Sequence, residues 1–255
     1  MKLNKEFIRE TKVIMIDEAV QSLKNKKVLF ILLIYALLLF IGIKKRVLIS
    51  QASALILTNF FFFFGEIPFP LLLSFFVSII ALPLFSLLLA YDGISSEVYA
   101  KSIRNIAYMA GRTSIFLGKF FAIFFINILV NLAVSLFAIF YIFFKTGDLF
   151  LADGLILWLY LALFSFYFVS LTMLASTITN KPSKSLFLGF FLFLILFLFH
   201  FKKNLLWASP YHYYKNGFYI LMHNFPKIWN SVLVMAGFSI FFVIISLIVF
   251  KRKDL

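Results

Sequence analysis

Six apolar stretches, 28–43, 71–91, 120–144, 157–177, 186–201 and 232–250, alternate along this chain with short polar breaks. A helix needs about 20 apolar residues to cross a hydrocarbon core. The shortest stretch, 28–43, lies between Lys26, Lys27 and Lys44, Lys45, Arg46, whose long side chains reach headgroups and cover the mismatch. The pattern predicts an all-α polytopic membrane protein, a single transmembrane domain over 1–255 with six transmembrane helices. Ahead of the first stretch, residues 1–27 carry seven Lys or Arg and four acids. Val13, Ile16, Val20 and Leu23 form one stripe on a helical wheel there. Such an N-terminal amphipathic helix lies in the interface, its lysines reaching toward anionic lipid.

Two further segments are predicted outside. Residues 47–66 are apolar but carry Ser50, Gln51, Ser53, Thr58 and Asn59, and they break at Gly65-Glu66-Ile67-Pro68. They read as an outer interfacial or re-entrant segment rather than a full span, which would invert everything downstream. Residues 202–230 mix aromatics with lysine, which suits the headgroup zone and predicts a short interfacial helix from Tyr213 to His223. Trp158 and Tyr160, near the start of the fourth span, are expected in the outer aromatic belt.

The loop 92–119 is where charge concentrates, with Asp92, Glu97, Lys101, Arg104, Arg112 and Lys119. Four bases within reach of two spans place it in the cytosol, because basic loops resist translocation. Its middle reads as a short amphipathic helix, Tyr99, Ile103, Ile106 and Ala107 on one side and Lys101 and Arg104 turned away. Within the spans, Ser74, Ser78 and Ser86 fall on one helical face, and Asn127, Asn131 and Ser135 on another. Amides facing lipid are costly, so this second line points at another helix or at a pathway.

Composition agrees with a membrane protein. The chain is 64% hydrophobic, far above the roughly 45 to 50% of soluble domains, and its mean hydropathy is +1.05. Net charge is +14 with only 13% of residues charged, so the basic excess sits in loops and sets orientation; nucleic acid is not an expected partner. Most of the 24 Lys and Arg fall on the side of the 92–119 loop, with both termini in the cytosol. The absence of cysteine excludes disulfides and thiolate sites. The charged first 27 residues do not read as a secretory leader. Thirty-eight Phe among abundant Lys, Ile and Asn suggest an AT-rich bacterial genome, hence the bacterial cytoplasmic (inner) membrane.

The run LPLFSLLLAYDGI, then Glu97, Arg112 and LGKF, resembles the second span, coupling loop and third span of ABC-2 type transporter permeases. It is most similar to the branch containing the nitrous-oxide-reductase maturation permease. Asp92, Glu97, Arg112, Gly118 and Lys119 fall on that branch's pattern. Its Gly-Thr-Leu becomes Lys101, Ser102 and Ile103 here, and its proline becomes Met109. Asp17-Glu18 before the basic cluster resembles the family's amphipathic helix. The resemblance implies a non-enzymatic permease subunit and export as the direction of transport, while the Phe-rich spans with thin polar lines favour an amphiphilic or lipid-like substrate over an ion. It implies a separate ATP-binding cassette ATPase docking on 92–112, with Asp92, Glu97, Lys101, Arg104 and Arg112 as ATPase-coupling residues. ATP is then used by the partner, and this chain binds no cofactor. A second permease copy completes the pathway, either a homodimer or a related chain. The competing readings are mechanotransmission to a periplasmic partner and a membrane-embedded enzyme.

Catalytic and metal signatures are weak. Gly118-Lys119 lacks the phosphate-loop glycine, since Thr113 stands there, and the following Ser or Thr, since Phe120 does. His200, His212 and His223 have no neighbouring carboxylate or thiol in sequence and read as interfacial, so no metal is expected. Asp92 and Glu97 read as a helix cap and salt-bridge partners rather than an acid and base pair. Ser74, Ser78, Asn127, Asn131 and Ser135 remain as pathway or helix-packing residues.

Overall fold

The computed structural model describes residues 2–24, 26–52, 69–103, 110–214 and 226–253. These are helical almost throughout, with no strand among the described residues. In chain order the helices are α1 (Lys2–Lys24), α2 (Lys26–Ala52), α3 (Phe69–Ala90), α4 (Ser95–Tyr99), α5 (Arg112–Thr146), α6 (Leu151–Ile178) and α7 (Pro182–Phe199). A 3-10 turn (Lys203–Ala208), α8 (Pro210–Tyr214) and α9 (Pro226–Arg252) follow. Five helices among the described residues are long and apolar enough to cross a membrane: α3 with its continuation to Tyr99, α5, α6, α7 and α9. The chain is therefore an integral membrane protein by length and composition.

α2, α5, α6 and α9 outrun at both ends the apolar stretches that predicted them, because a backbone already hydrogen-bonded internally continues freely into the headgroup zone, whereas α3 and α7 start early but stop at Ala90 and Phe199, just short of the expected ends. α2 passes Ile43 and runs unbroken through Lys44, Lys45 and Arg46 to Ala52, so the expected segment 47–66 begins as part of this helix. Residues 53–66 lie outside the described residues, as do 215–223 of the expected interfacial helix. α5 starts at Arg112 rather than Phe120, since Ile115 and Phe116 bury against Phe250 and the loop's Ile94 and Ile103. It ends where Gly147 takes a left-handed φ of 81° and its N–H reaches the Phe143 carbonyl. Pro182 opens α7, where a missing N–H costs nothing.

α6 is the axis of the bundle. It packs on α3, α5, α7 and α9, and 67% of its apolar window is buried, against 17% for α9. Close approach needs small residues: a Cβ on Gly154 would meet Ile139 at 2.4 Å, and one on Gly189 would meet Leu87 at 2.5 Å. Neighbouring spans run antiparallel, so two ends form. One gathers Lys27, Asp92, Ser176 and Lys253; the other gathers Phe75, Tyr160, Tyr213 and Tyr214.

The aromatic end departs from expectation. Tyr160 is buried rather than in a belt, its hydroxyl donating to the Tyr213 carbonyl at 2.5 Å, and the Trp158 ring N–H donates to Ile128 O at 3.2 Å. Both rings have found polar partners inside the bundle. Trp207 and Trp229 are the exposed ones.

Candidate functional site

The predicted polar lines lie inside the bundle. Ser74 donates to Leu71 O, and Ser78 donates to Ser74 O and pairs with the Tyr35 hydroxyl of α2. Asn127 of α5 donates to Ser86 of α3 at 3.2 Å and accepts from Ser165 of α6 at 3.1 Å, while Asn131 donates to the same Ser165 at 3.3 Å. Three helices are thus joined by one amide and hydroxyl chain. Asn131 Oδ1 and Ser135 Oγ are buried without a hydrogen-bond partner among the described residues.

The charged end is built more densely. Lys119, two turns inside α5, is only 2% exposed, and its ammonium lies 2.7 Å from Glu18 of α1 and 2.7 Å from Glu97 of α4. α1 reaches it because Gly118 has no side chain: a Cβ there would stand 2.8 Å from Ile14 Cβ and 3.1 Å from Thr11 O. Glu10 of α1 accepts from the Gly111 N–H at the start of α5, where a carboxylate also meets the positive end of the helix dipole. Beside this triad, Lys27 at the start of α2 pairs with Asp92 and reaches the Tyr91 hydroxyl. Burial lowers the Lys27 pKa, but the hydrogen bond and charge of Asp92, with Tyr91, outweigh it and hold the ammonium above the ordinary lysine value.

Between the Lys119 triad and the Lys27–Asp92 pair lies a cavity of about 200 Å³, walled by Glu18, Lys27, Asp92, Glu97 and Lys119. The second Glu97 oxygen, Oε2, is buried and has no hydrogen-bond partner among the described residues. Ser176 of α6 closes the loop from the other side, accepting from the N–H groups of Ile94 and Ser95 at 3.2 and 3.1 Å. The loop's backbone is therefore fixed to α6 while its acid is fixed to α1 and α5.

Arg112 and Lys253 bind helix ends. The Arg112 guanidinium donates to Lys251 O and Lys253 O at 2.8 and 3.0 Å, capping α9, and Lys253 donates to Thr177 O and Thr179 O, capping α6. Burial lowers the Lys253 pKa below the ordinary lysine value.

The five residues predicted to couple to a partner are thus divided. Asp92, Glu97 and Arg112 are engaged within the chain, Arg104 lies outside the described residues, and Lys101 is exposed. The expected amphipathic helix through Tyr99 and Ile103 is not continuous. α4 stops at Tyr99, Lys101 turns with a left-handed φ of 59°, and Tyr99 is exposed while Ile103 is buried, so the two share no face. Ile106 and Ala107 lie outside the described residues. The exposed Tyr99 ring has the Lys181 ammonium 5.7 Å from its centroid. Sequence reasoning missed Glu18, Lys27, Ser176 and Lys253 as site residues; the one available signal was a lysine, Lys119, followed at once by an apolar run.

Among the described residues no group of three or more His, Asp or Glu could hold a metal ion. Neither the family models nor the curated proteins include a match to this chain.

Proposed function

We propose that this chain is the membrane-spanning permease subunit of an ATP-driven ABC transporter of the ABC-2 type, energised by a separate ATP-binding cassette subunit that docks on the loop around α4. The observation that carries the reading is the combination of an exposed tip and an anchored root. Tyr99 and Lys101 project at the charged end, while two residues earlier Glu97 is fixed by the buried Lys119 to both α1 and α5. Force applied at the tip reaches three helices through short, desolvated contacts, as alternating access by rigid rearrangement of spans requires.

In this reading α2 is the sixth span, its apolar part 28–43 rising about 24 Å. The charged end faces the cytosol with both termini, and two permease copies form the pathway. An amphiphilic or lipid-like cargo, exported, suits the lateral apolar groove of about 410 Å³ between α6 and α9, lined by Ile156, Leu159, Leu163, Ile228, Trp229 and Val232.

The test is co-purification in detergent with candidate ATP-binding subunits, comparing the wild type with Tyr99→Ala and Lys101→Glu. These two side chains are exposed, so loss of pairing with retained fold supports docking at the tip. Pairing that ignores both variants sinks the docking surface.

A further inference from the structure

The cavity between the Lys119 triad and the Lys27–Asp92 pair has a wall of unbalanced charge. Three carboxylates, Glu18, Asp92 and Glu97, meet two ammoniums, Lys27 and Lys119. Glu18 Oε2 and Glu97 Oε1 share Lys119, and Asp92 Oδ2 takes Lys27, so each acid commits one oxygen. The accessible surface is more acidic than this count. The Lys119 side chain is 3% exposed, whereas Glu18, Asp92 and Glu97 keep 24, 30 and 22%. Lys27 is the wall's other base, and Asp92 and the Tyr91 hydroxyl already hold it. Val28, Leu89 and Ile123 add an apolar patch to the same wall.

Two features narrow what fits. Among the described residues no three acids converge as a metal ion requires, and hard divalent cations take six or more oxygens. The two lysines, by contrast, show in place the chemistry this wall accepts: an alkyl stem ending in an ammonium whose N–H groups reach carboxylates. A third ammonium answers the third acid. The volume of about 200 Å³ corresponds to roughly six waters, hence to a chain of about as many heavy atoms.

We propose that this cavity binds a small primary alkylammonium, its head among Glu18, Asp92 and Glu97 and its stem against Val28, Leu89 and Ile123. Such a ligand touches α1, α2, α4 and α5 at once. Its recognition needs no partner subunit, so the site does not rest on the transporter reading.

The probe is n-butylammonium, added to the full chain in neutral detergent and read by thermal unfolding. At ten times its Kd the expected rise in Tm is about 3–6 °C. Tetramethylammonium, a cation with no N–H, and n-butanol, a stem with no charge, give no such rise. Ser22, half-buried on the cavity wall, offers a variant that spares every ion pair described above. Ser22→Lys supplies the ammonium from the chain itself: its unliganded Tm rises, and butylammonium no longer adds to it. Ser22→Ala keeps the butylammonium response.

A butylammonium response no larger than that of tetramethylammonium overturns the proposal, and so does a response that Ser22→Lys leaves intact. Phosphatidylethanolamine carries the same head beside a phosphate, which three carboxylates repel. Stabilisation that appears only in nanodiscs containing that lipid, and that Ser22→Lys cancels, overturns the free amine and makes the occupant a lipid headgroup. No ATP-binding subunit enters the experiment, so its failure is distinct from failure of the transporter reading.

Discussion

Replacing Lys119 by Met removes the single cation that two carboxylates share. The side chain is 3% exposed, whereas Glu18 and Glu97 keep 24 and 22% exposure. Removing one partner of a buried ion pair costs about 3–5 kcal/mol, because the other charge stays desolvated. The residual exposure of both acids lets water answer part of that loss, which brings the expected cost to about 2–3 kcal/mol. For a chain of this size each kcal/mol moves Tm by roughly 2–4 °C, so a fall on the order of 5–10 °C is expected in detergent. The same logic predicts recovery: with Lys119→Met, Glu18→Gln and Glu97→Gln combined, no charge is left buried and most of the loss returns. The assay is thermal unfolding followed by size-exclusion chromatography, with trypsin sensitivity of the Lys and Arg residues of α1 as a local probe. A single variant as stable as wild type, or a triple variant as unstable as the single one, refutes the argument from desolvated charge.

Other outcomes follow from single contacts. Gly118→Ala puts a methyl group 2.8 Å from Ile14 Cβ and forces α1 off α5, at about 1–3 kcal/mol, with tryptic release of α1 as the readout. Ser176→Ala strands the N–H groups of Ile94 and Ser95, so hydrogen exchange at these two amides should quicken, and local stability should fall by about 1–3 kcal/mol. Lys101→Gly relieves a left-handed residue by about 1–2 kcal/mol but adds unfolded-state entropy of about 0.5–1 kcal/mol; the expected net gain is small and positive, whereas Lys101→Val should lower Tm. Asn127→Ala breaks contacts to both Ser86 and Ser165 and should cost more than Asn131→Ala, which loses one; thermal shifts of the pair decide the order.

The apolar stretches made α3, α5, α6, α7 and α9 legible because membrane helices need length and hydrophobicity that no loop imitates. Their ends were not legible. The apolar stretch beginning at Phe120 hid the helical turns from Arg112 to Lys119, whose amphipathic face becomes visible only once α1 and Phe250 lie on it. The site shows the same division. Glu97 stood out as a charge in a loop, but its partner Lys119 and the Glu18 that shares that ammonium lie 22 and 79 positions away in sequence, and only folding brings the two carboxylates to 2.7 Å from Lys119 Nζ. Arg112 was assigned to an outside partner because no local pattern announces that α9 ends beside it. Lys101 carries a different lesson: no residue around it announces the left-handed φ of 59° with which the chain leaves α4.

The 35 residues of α5 make one uninterrupted rod of about 52 Å, well beyond the roughly 30 Å of a hydrocarbon core. Lys119 grips it near one tip, and the amides of Asn127 and Asn131 hold it close to mid-length. If those amides act as the fulcrum, tilting the rod by about 5° displaces each tip by roughly 2 Å, in opposite senses. At Lys119, about 15 Å from that fulcrum, the shift is about 1.3 Å, which stretches a 2.7 Å ion contact to the limit of ion pairing, so a swing of the rod either carries α1 and α4 along or loosens its grip on them.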